Sequence, residues 1–485
     1  AHTQLGQMEQ AAEGFRRSLA IDRSNAETHS NLGCVYQAQG LLGEAEACYR
    51  KAISLQPDLA IADNLGSVLS SRGQFEDALE VYSKGLARQP GNARLLSNLL
   101  LTLNYVPDFD REQMFREHKR FNALFAGKRP LLDSSFLAGE RHRLRIGYVS
   151  PDFREHSVAY FIVPVLEGHD RSRFEVFGYS SVPRPDAVTL GIQAACDHWR
   201  DISVMTSEQV AAQVRTDRID ILVDLAGHTA GNCLTVFARK PAPVQVTYLG
   251  YPNTTGLESM DYRIVDPVTD APDQDQYYTE KLVRLPGCFL CYKPPVNAPA
   301  VSALPALAAG HLTFGSFNNL SKINDDVIRL WSDVVKGVPG SRLLVKNSSL
   351  TDEQTRSLYR KKFLAQGLDH NDIELMGHTP TREKHLELYS RVDIALDTVP
   401  YNGTTTTCEA LWLGVPVLTL RGTSHAACVG ASLLQAAGLH DWISDSEASL
   451  VSDAINKAEN LDSLSSIRAN LRKQLLASDL CNTHA

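Results

Sequence analysis

The chain has 485 residues, 43% apolar and 21% charged, the make-up of a globular protein of about three domains. Its net charge of −8 comes from well-mixed signs, and no cluster of Lys and Arg offers a surface for nucleic acid. No run of about 18 apolar residues predicts a membrane span, and the start has no signal-peptide pattern, so no membrane partner is expected.

Residues 1–106 repeat. Gly6, Gly40 and Gly73 lie 34 and 33 residues apart. Ala11, Ala45 and Ala78 follow the same steps, as do Phe15, Tyr49 and Tyr82, and Leu32-Gly33 recurs as Leu65-Gly66. This is the tetratricopeptide pattern: small residues let two antiparallel helices approach, and aromatic rings fill the gap to the next repeat. Such helices stack into a superhelix that binds extended polypeptide and also offers a homodimer surface. The chain starts in mid-repeat, so further repeats are expected before it. Residues 107–142 read as a helical linker, with a helix over 111–125 and a charged connection carrying Pro130 and Gly139.

From residue 143 strands alternate with helices. A first lobe, 143–305, predicts strands at 144–149, 174–179, 219–225, 244–249, 262–265 and 282–285. A second, 306–485, predicts them at 312–317, 342–346, 373–376, 392–396 and 415–420. Several are continuous apolar runs, as in parallel sheets covered on both faces. The expected class is an α-helical superhelix followed by two doubly wound, Rossmann-like α/β lobes, with ligands at the strand exits between them. The nine scattered cysteines lack a framework spacing and predict reduced thiols, hence a cytoplasmic protein, also nuclear in a eukaryote. Cys288 and Cys291 form a lone Cys-x-x-Cys, without the second pair a zinc site needs.

The chemistry concentrates after the strand at 392–396. There Pro400 and Gly403 predict a tight turn, and Thr404, Thr405, Thr406 and Thr407 open a helix with Glu409 one turn in. Helix N–H groups, the positive dipole end and hydroxyl donors converge on one point, a site suited to a diphosphate. The competing reading is a Thr-rich cap without a ligand. Asn319 and Lys322 follow the first strand of the same lobe, and Lys346 ends the next. Either lysine can neutralise a phosphate leaving group, although a surface lysine is the default. Arg382, Glu383 and His385 follow the third strand and suit a nucleoside, with His378 as a rival. No Asp-x-Asp flanked by apolar strands suggests a metal–diphosphate site, so no metal or other cofactor is expected.

In the first lobe, His156 lies in the loop after the first strand, where it could move a proton; a satisfied capping histidine is the alternative. Asp217 precedes the third strand, at the end away from the cleft. Tyr251, Pro252, Asn253 and Thr254 sit in a second Thr/Gly loop, a concave donor set or an ordinary turn.

Together these residues resemble the nucleocytoplasmic protein O-glycosyltransferases, the O-GlcNAc transferase and SPINDLY-type enzymes. The supporting stretches are 150–153 (SPDF), 154–161 (REHSVAYF), 227–230 (GHTA), 250–257 (GYPNTTGL), 285–292 (LPGCFLCY), 315–320 (GSFNNL) and 404–409 (TTTTCE). The resemblance implies a GT-B fold and inverting transfer of a sugar from a nucleotide sugar to Ser or Thr of intracellular proteins bound along the repeats. It implies that His156 is the active-site histidine, that Asn319 and Lys322 line the diphosphate, and that His385 meets the nucleotide. Thr405 and Thr406 become the phosphate pair, Glu409 the acidic contact to nucleotide or sugar, and the loop from Tyr251 to Thr254 the acceptor and sugar side. The base stays open between His156, Asp217, a water chain and the donor phosphate. O-GlcNAc transferases carry His-Thr-Thr where this chain has Thr404-Thr405-Thr406, and an aspartate at the Glu409 position. The extra methylene of glutamate moves the carboxylate by about 1.5 Å, which points to GDP-fucose as donor. UDP-GlcNAc is the alternative, and an inactive repeat scaffold the third reading. The family also continues past the last residues into a closing helix, which is expected to be missing.

Overall fold

A computed structural model describes residues 2–57, 61–127 and 142–482. Six repeat helices come first: α1 (His2–Ile21), α2 (Ala26–Gln39), α3 (Leu42–Leu55), α4 (Ala62–Ser71), α5 (Phe75–Arg88) and α6 (Ala93–Leu103). Asn25 and Asn92 cap α2 and α6 by accepting from the backbone N–H of Thr28 and Leu95. The repeat spacing has a steric cause. A Cβ at Gly33 would lie 2.7 Å from the Tyr49 ring, and one at Gly66 2.3 Å from Tyr82. Tyr49, Ala45 and Ala78 are fully buried. Gly40 and Gly73 close helices at φ 79° and 73°, a conformation glycine adopts without a Cβ clash.

The first repeat departs from the expected register. Gly6 lies inside α1 rather than at a turn; glycine permits the left-handed conformation but does not impose it. Ala12, not Ala11, is the buried small residue, so its step to Ala45 equals that from Ala45 to Ala78. The linker helix is α7 (Arg111–Phe125), as its pattern predicts. Residues 128–141 of the expected linker and the chain's last three residues lie outside the described residues.

The first lobe is a seven-stranded parallel sheet: β1 (Leu144–Ser150), β2 (Phe174–Ser180), β3 (His198–Asp201), β4 (Ile221–Asp224), β5 (Val244–Thr247), β6 (Tyr262–Val265) and β7 (Lys281–Arg284), in spatial order 3-2-1-4-5-6-7. The second has six: β8 (Thr313–Ser316), β9 (Arg342–Lys346), β10 (Ile373–Met376), β11 (Ile394–Leu396), β12 (Val417–Leu420) and β13 (Ile443–Ser444), in order 10-9-8-11-12-13. Both sheets reverse direction of growth once, between β1 and β4 and between β8 and β11. These are the switch points where the exit loops diverge to leave a crevice. The sequence pattern misses β3 and β13. One reads HWRD and the other has two residues, so neither carries an apolar run.

The repeats and the linker helix pack on the lobes. On the first, His118 of α7 meets the Tyr251 hydroxyl through Nε2 (2.7 Å), and His228 takes a hydrogen bond from Ser97 of α6 at Nδ1 (3.0 Å). On the second, the Gly43 N–H donates to Asp352 (3.3 Å). The lobes meet through His425, 2.6 Å from Asp270, and through the Ser432 hydroxyl, which donates to Asp266 (2.6 Å). Among the described residues no helix is long and apolar enough to cross a membrane.

Candidate active site

The site is built at the switch point of the second sheet. Asp397 follows β11 and is buried beneath the turn. It accepts from the N–H of Gly403 (2.6 Å) and Thr398 (2.8 Å) and from the Thr419 hydroxyl (2.8 Å). Burial raises its carboxyl, and these hydrogen bonds oppose the rise. The turn therefore folds back over β11 and launches the helix Thr405–Trp412 outward. Its N-cap, Thr404, makes no side-chain capping bond, which leaves the first amides of the helix to a ligand. The Thr406 hydroxyl donates to Asn318 Oδ1 (2.7 Å), tying the helix mouth to the loop after β8.

That loop carries Lys322 on a single 3-10 turn, Leu320–Lys322. Its Nζ donates to the Asn402 carbonyl (2.6 Å) and lies 4.0 Å from the centre of the Tyr401 ring. No carboxylate of the described residues pairs with it. Burial pushes its ammonium down to about 8, with Asp397 pulling the other way. Lys322 and the threonine run thus meet at one turn.

A second cluster adjoins the first. Lys346 Nζ donates to His385 Nδ1 (2.9 Å), which fixes the tautomer, so His385 Nε2–H donates to Glu409 Oε2 (3.2 Å). Arg382 donates to the other oxygen of Glu409 (3.1 Å). Burial also lowers the Lys346 ammonium, against Glu409. The Arg382 guanidinium lies 4.2 Å from the centre of the Tyr160 ring. Tyr160 belongs to α8 (Ala159–Gly168), in the first lobe, so this stack spans the cleft.

His156 stands just before α8. Its Nδ1 accepts from the Val158 N–H (3.3 Å), and its Nε2 is 3.6 Å from Asp152. Burial lowers its pKa below the ordinary histidine value, with Asp152 opposing.

Other predicted residues go elsewhere. Asn319 is exposed and caps its own 3-10 turn, while the neighbouring Asn318 touches the threonines. His378 is exposed, and its backbone N–H donates to the Thr351 hydroxyl (2.8 Å). Asp217 ends the helix Ser207–Thr216 before β4, at the sheet edge opposite the strand exits. There Arg200 (2.8 and 3.1 Å) and the Tyr179 hydroxyl (2.8 Å) donate to it. Burial raises its carboxyl, but these partners prevail and hold it below the usual range. Tyr251 and Asn253 bond to Asn104 at the end of α6 (3.0 Å each), and Thr254 donates to Glu280 (2.6 Å). Pro252 and Asn253 line a cavity of about 270 Å³ between α7 and the loops of both lobes. The sequence reading overlooked Asn318, since an Asn-Asn pair does not say which side chain turns inward, and Tyr401, because no spacing rule singles out a ring in a turn.

The glycosyl transferase family 41 profile matches residues 124–293 and 300–485, and tetratricopeptide profiles match 1–40, 26–59 and 60–94. The chain is 41% identical over 398 residues to the probable UDP-N-acetylglucosamine–peptide N-acetylglucosaminyltransferase SPINDLY of Arabidopsis thaliana, which covers 81% of this chain and 44% of that protein. It is 42% identical to the rice counterpart, with 81% and 43% covered. Identity to the probable transferase SEC of Arabidopsis thaliana is 33%, with 70% and 36% covered. The chain thus spans less than half the length of these curated relatives. A solved variant of the Thermobaculum terrenum O-GlcNAc transferase superposes with a TM-score of 0.91 at 35% identity, covering 99% of this chain and 92% of that one. The chain belongs to glycosyl transferase family 41, as a SPINDLY-like member of the O-GlcNAc transferase superfamily, with tetratricopeptide repeats ahead of two Rossmann-like lobes.

Proposed function

We propose that the chain transfers a sugar from a nucleoside diphosphate to Ser or Thr hydroxyls of intracellular proteins, with inversion at the anomeric carbon and without a metal ion. One observation carries this reading: Lys322, half-buried and without a carboxylate partner among the described residues, meets the turn that leads into the uncapped mouth of a threonine-rich helix at a sheet switch point. A retained positive charge beside free amides is a site for a diphosphate. The acceptor oxygen bonds the anomeric carbon as the bond from that carbon to the diphosphate breaks. The electron pair leaves with the diphosphate, whose charge Lys322, Thr405 and Thr406 hold. His156 accepts from Val158 at Nδ1, so its Nε2 carries a proton and donates. That favours His156 as a holder of the acceptor, and a water chain or a donor phosphate oxygen as the taker of the hydroxyl proton. Acceptor polypeptide runs along the repeats, which also offer a homodimer surface.

GDP-fucose is the proposed donor, on the strength of Glu409 and Thr404. UDP-GlcNAc is the second reading, favoured by the names of the curated relatives and of the Thermobaculum terrenum enzyme. Calorimetry with GDP and UDP, followed by label transfer from GDP-fucose and UDP-GlcNAc to added protein, separates them. Tighter GDP binding with fucose transfer supports the first; tighter UDP binding with GlcNAc transfer replaces it. Absence of nucleotide binding in both arms ends the transferase reading.

A further inference from the structure

Lys322 raises a physical question. A buried ammonium is costly to hold, and proteins commonly pair it with a carboxylate. A carboxylate here would cancel the charge and compete with a diphosphate. The Lys322 ammonium instead touches two groups of zero net charge, the Asn402 carbonyl and the face of Tyr401, while Asp397, occupied beneath the turn, favours the charge from a distance without pairing with it. An aromatic face attracts a cation without neutralising it. Of the three N–H donors, one is spent on Asn402, and the ring takes up the charge on another side.

The ring is itself held from the repeats. Tyr401 stacks on Tyr105, with centroids 5.1 Å apart and planes 16° from parallel, and Tyr105 stacks on Phe75 at 5.9 Å and 18°. Tyr105 sits in the turn after α6, and Phe75 opens α5. A separate tie reaches the turn that bears Lys322. The Tyr359 hydroxyl lies within bonding distance of the carbonyls of Leu320 (3.2 Å), Ile323 (3.3 Å) and Arg72 (3.5 Å), the last at the end of α4.

We infer that Tyr401 is a positioning residue: its ring, backed by Tyr105, holds the Lys322 ammonium at the mouth of the threonine helix, so that the last repeat is part of the donor-binding machinery. This rests on the proposed reading of the site as a diphosphate site. The cradle for polypeptide and the grip on the nucleotide then share one stack of rings.

The test replaces Tyr401 by Phe and by fluorinated phenylalanines of nearly equal size, which keep the packing and weaken only the ring face. GDP is the probe (UDP if it binds tighter), titrated calorimetrically from pH 6.5 to 9.5. Phe should match the wild type, and trifluoro-phenylalanine should bind about tenfold to thirtyfold more weakly at pH 8.5 with unchanged melting. The pH above which binding is lost should fall as fluorine is added, a shift that packing alone does not cause. Tyr105→Ala should weaken binding in the same direction by about threefold or more, and Tyr105→Phe should restore it. A flat fluorination series, with binding abolished in Lys322→Ala, overturns the inference and leaves the donor site standing. Undiminished GDP and UDP binding in Lys322→Ala removes the site reading, and the inference with it.

Discussion

Two loops of this molecule look alike in sequence and behave oppositely. Gly250 to Gly256 follows β5 of the first lobe, and Gly403 to Thr407 follows β11 of the second. Both leave parallel strands, and both carry threonines beside glycine. In the first, Glu280 faces the threonines. It takes the Thr254 hydroxyl (2.6 Å), the Thr255 N–H (2.7 Å) and the Thr255 hydroxyl, while Arg263 donates to the carbonyls of Tyr251 and Asn253 (2.8 Å each). Its donors are consumed internally, and the loop cements the repeats to the lobe. In the second, the acid lies underneath. Asp397 takes the amides that shape the turn, the Thr406 and Thr407 hydroxyls bond to the neutral Asn318 side chain and Gly403 carbonyl, and Lys322 rather than a carboxylate meets the same turn. The position of one carboxylate, above the hydroxyls or below the turn, separates a structural loop from the one proposed to hold a diphosphate.

The largest expected effect is at the open loop. Lys322→Ala should cut transfer by about 10²–10³-fold or more. Stability should not fall, because the native state holds this ammonium at about 8 against about 10.4 in the unfolded chain. Radiolabel transfer and a melting curve check both halves, and near-normal turnover would take Lys322 out of the mechanism. At the closed loop the pattern should invert. Glu280→Ala strips the acceptor from three donors and should cost about 3 kcal/mol of stability. Nucleotide affinity of the folded protein should stay unchanged in calorimetry. A variant that kept its stability and lost nucleotide would reverse the assignment of the two loops.

The junction behind the closed loop predicts a pH effect of similar or slightly smaller size. Burial lowers His118 to about 4, with its bond to Met114 opposing, whereas an unfolded histidine titrates near 6.5. The unfolded state therefore binds more protons between these values. The stabilisation is fully present above about pH 6.5 and lost as the pH falls to about 4, by up to about 3 kcal/mol. Urea midpoints at pH 7, 5.5 and 4.5 should fall in that order. The same series in His118→Gln should be flatter, and parallel slopes would place the sensitivity elsewhere, such as at the buried His228.

How legible this was in the sequence depended on whether a residue's role is local. Repeat spacing, α7 and eleven of the strands follow from periodicity and apolar runs, which report burial directly. The threonine run, Lys322, His385 and Glu409 were legible because strand exits collect at one edge of a doubly wound sheet. Partners distant in sequence were not legible. Glu280 lies 25 residues from Thr255, and its claim on that loop shows only in the fold. Tyr105 meets Tyr401 across nearly 300 residues. The choice of Asn318 over Asn319 turns on one backbone rotation, which no pattern encodes.

The smallest expected effect concerns Glu409, and it bears on which sugar nucleotide the proposed site would select. Two donors from the β10 side, Arg382 and His385, hold the two oxygens of this carboxylate at 3.1 and 3.2 Å. Glu409→Asp shortens the side chain by one methylene, about 1.5 Å, so at least one of these bonds must lengthen or break. Losing one charge-assisted hydrogen bond corresponds to about 1.5–3 kcal/mol at most, and less where solvent replaces it. If Glu409 selects the donor, Glu409→Asp should lower kcat/KM for the preferred sugar nucleotide by about tenfold. It should change the other by less, so that the ratio of the two moves. If Glu409 only clamps Arg382 and His385 into place, both donors should weaken equally and the ratio should hold. Competition between GDP-fucose and UDP-GlcNAc in one reaction reads that ratio directly, and a constant ratio would detach donor choice from residue 409 while leaving Lys322 and the threonines in place.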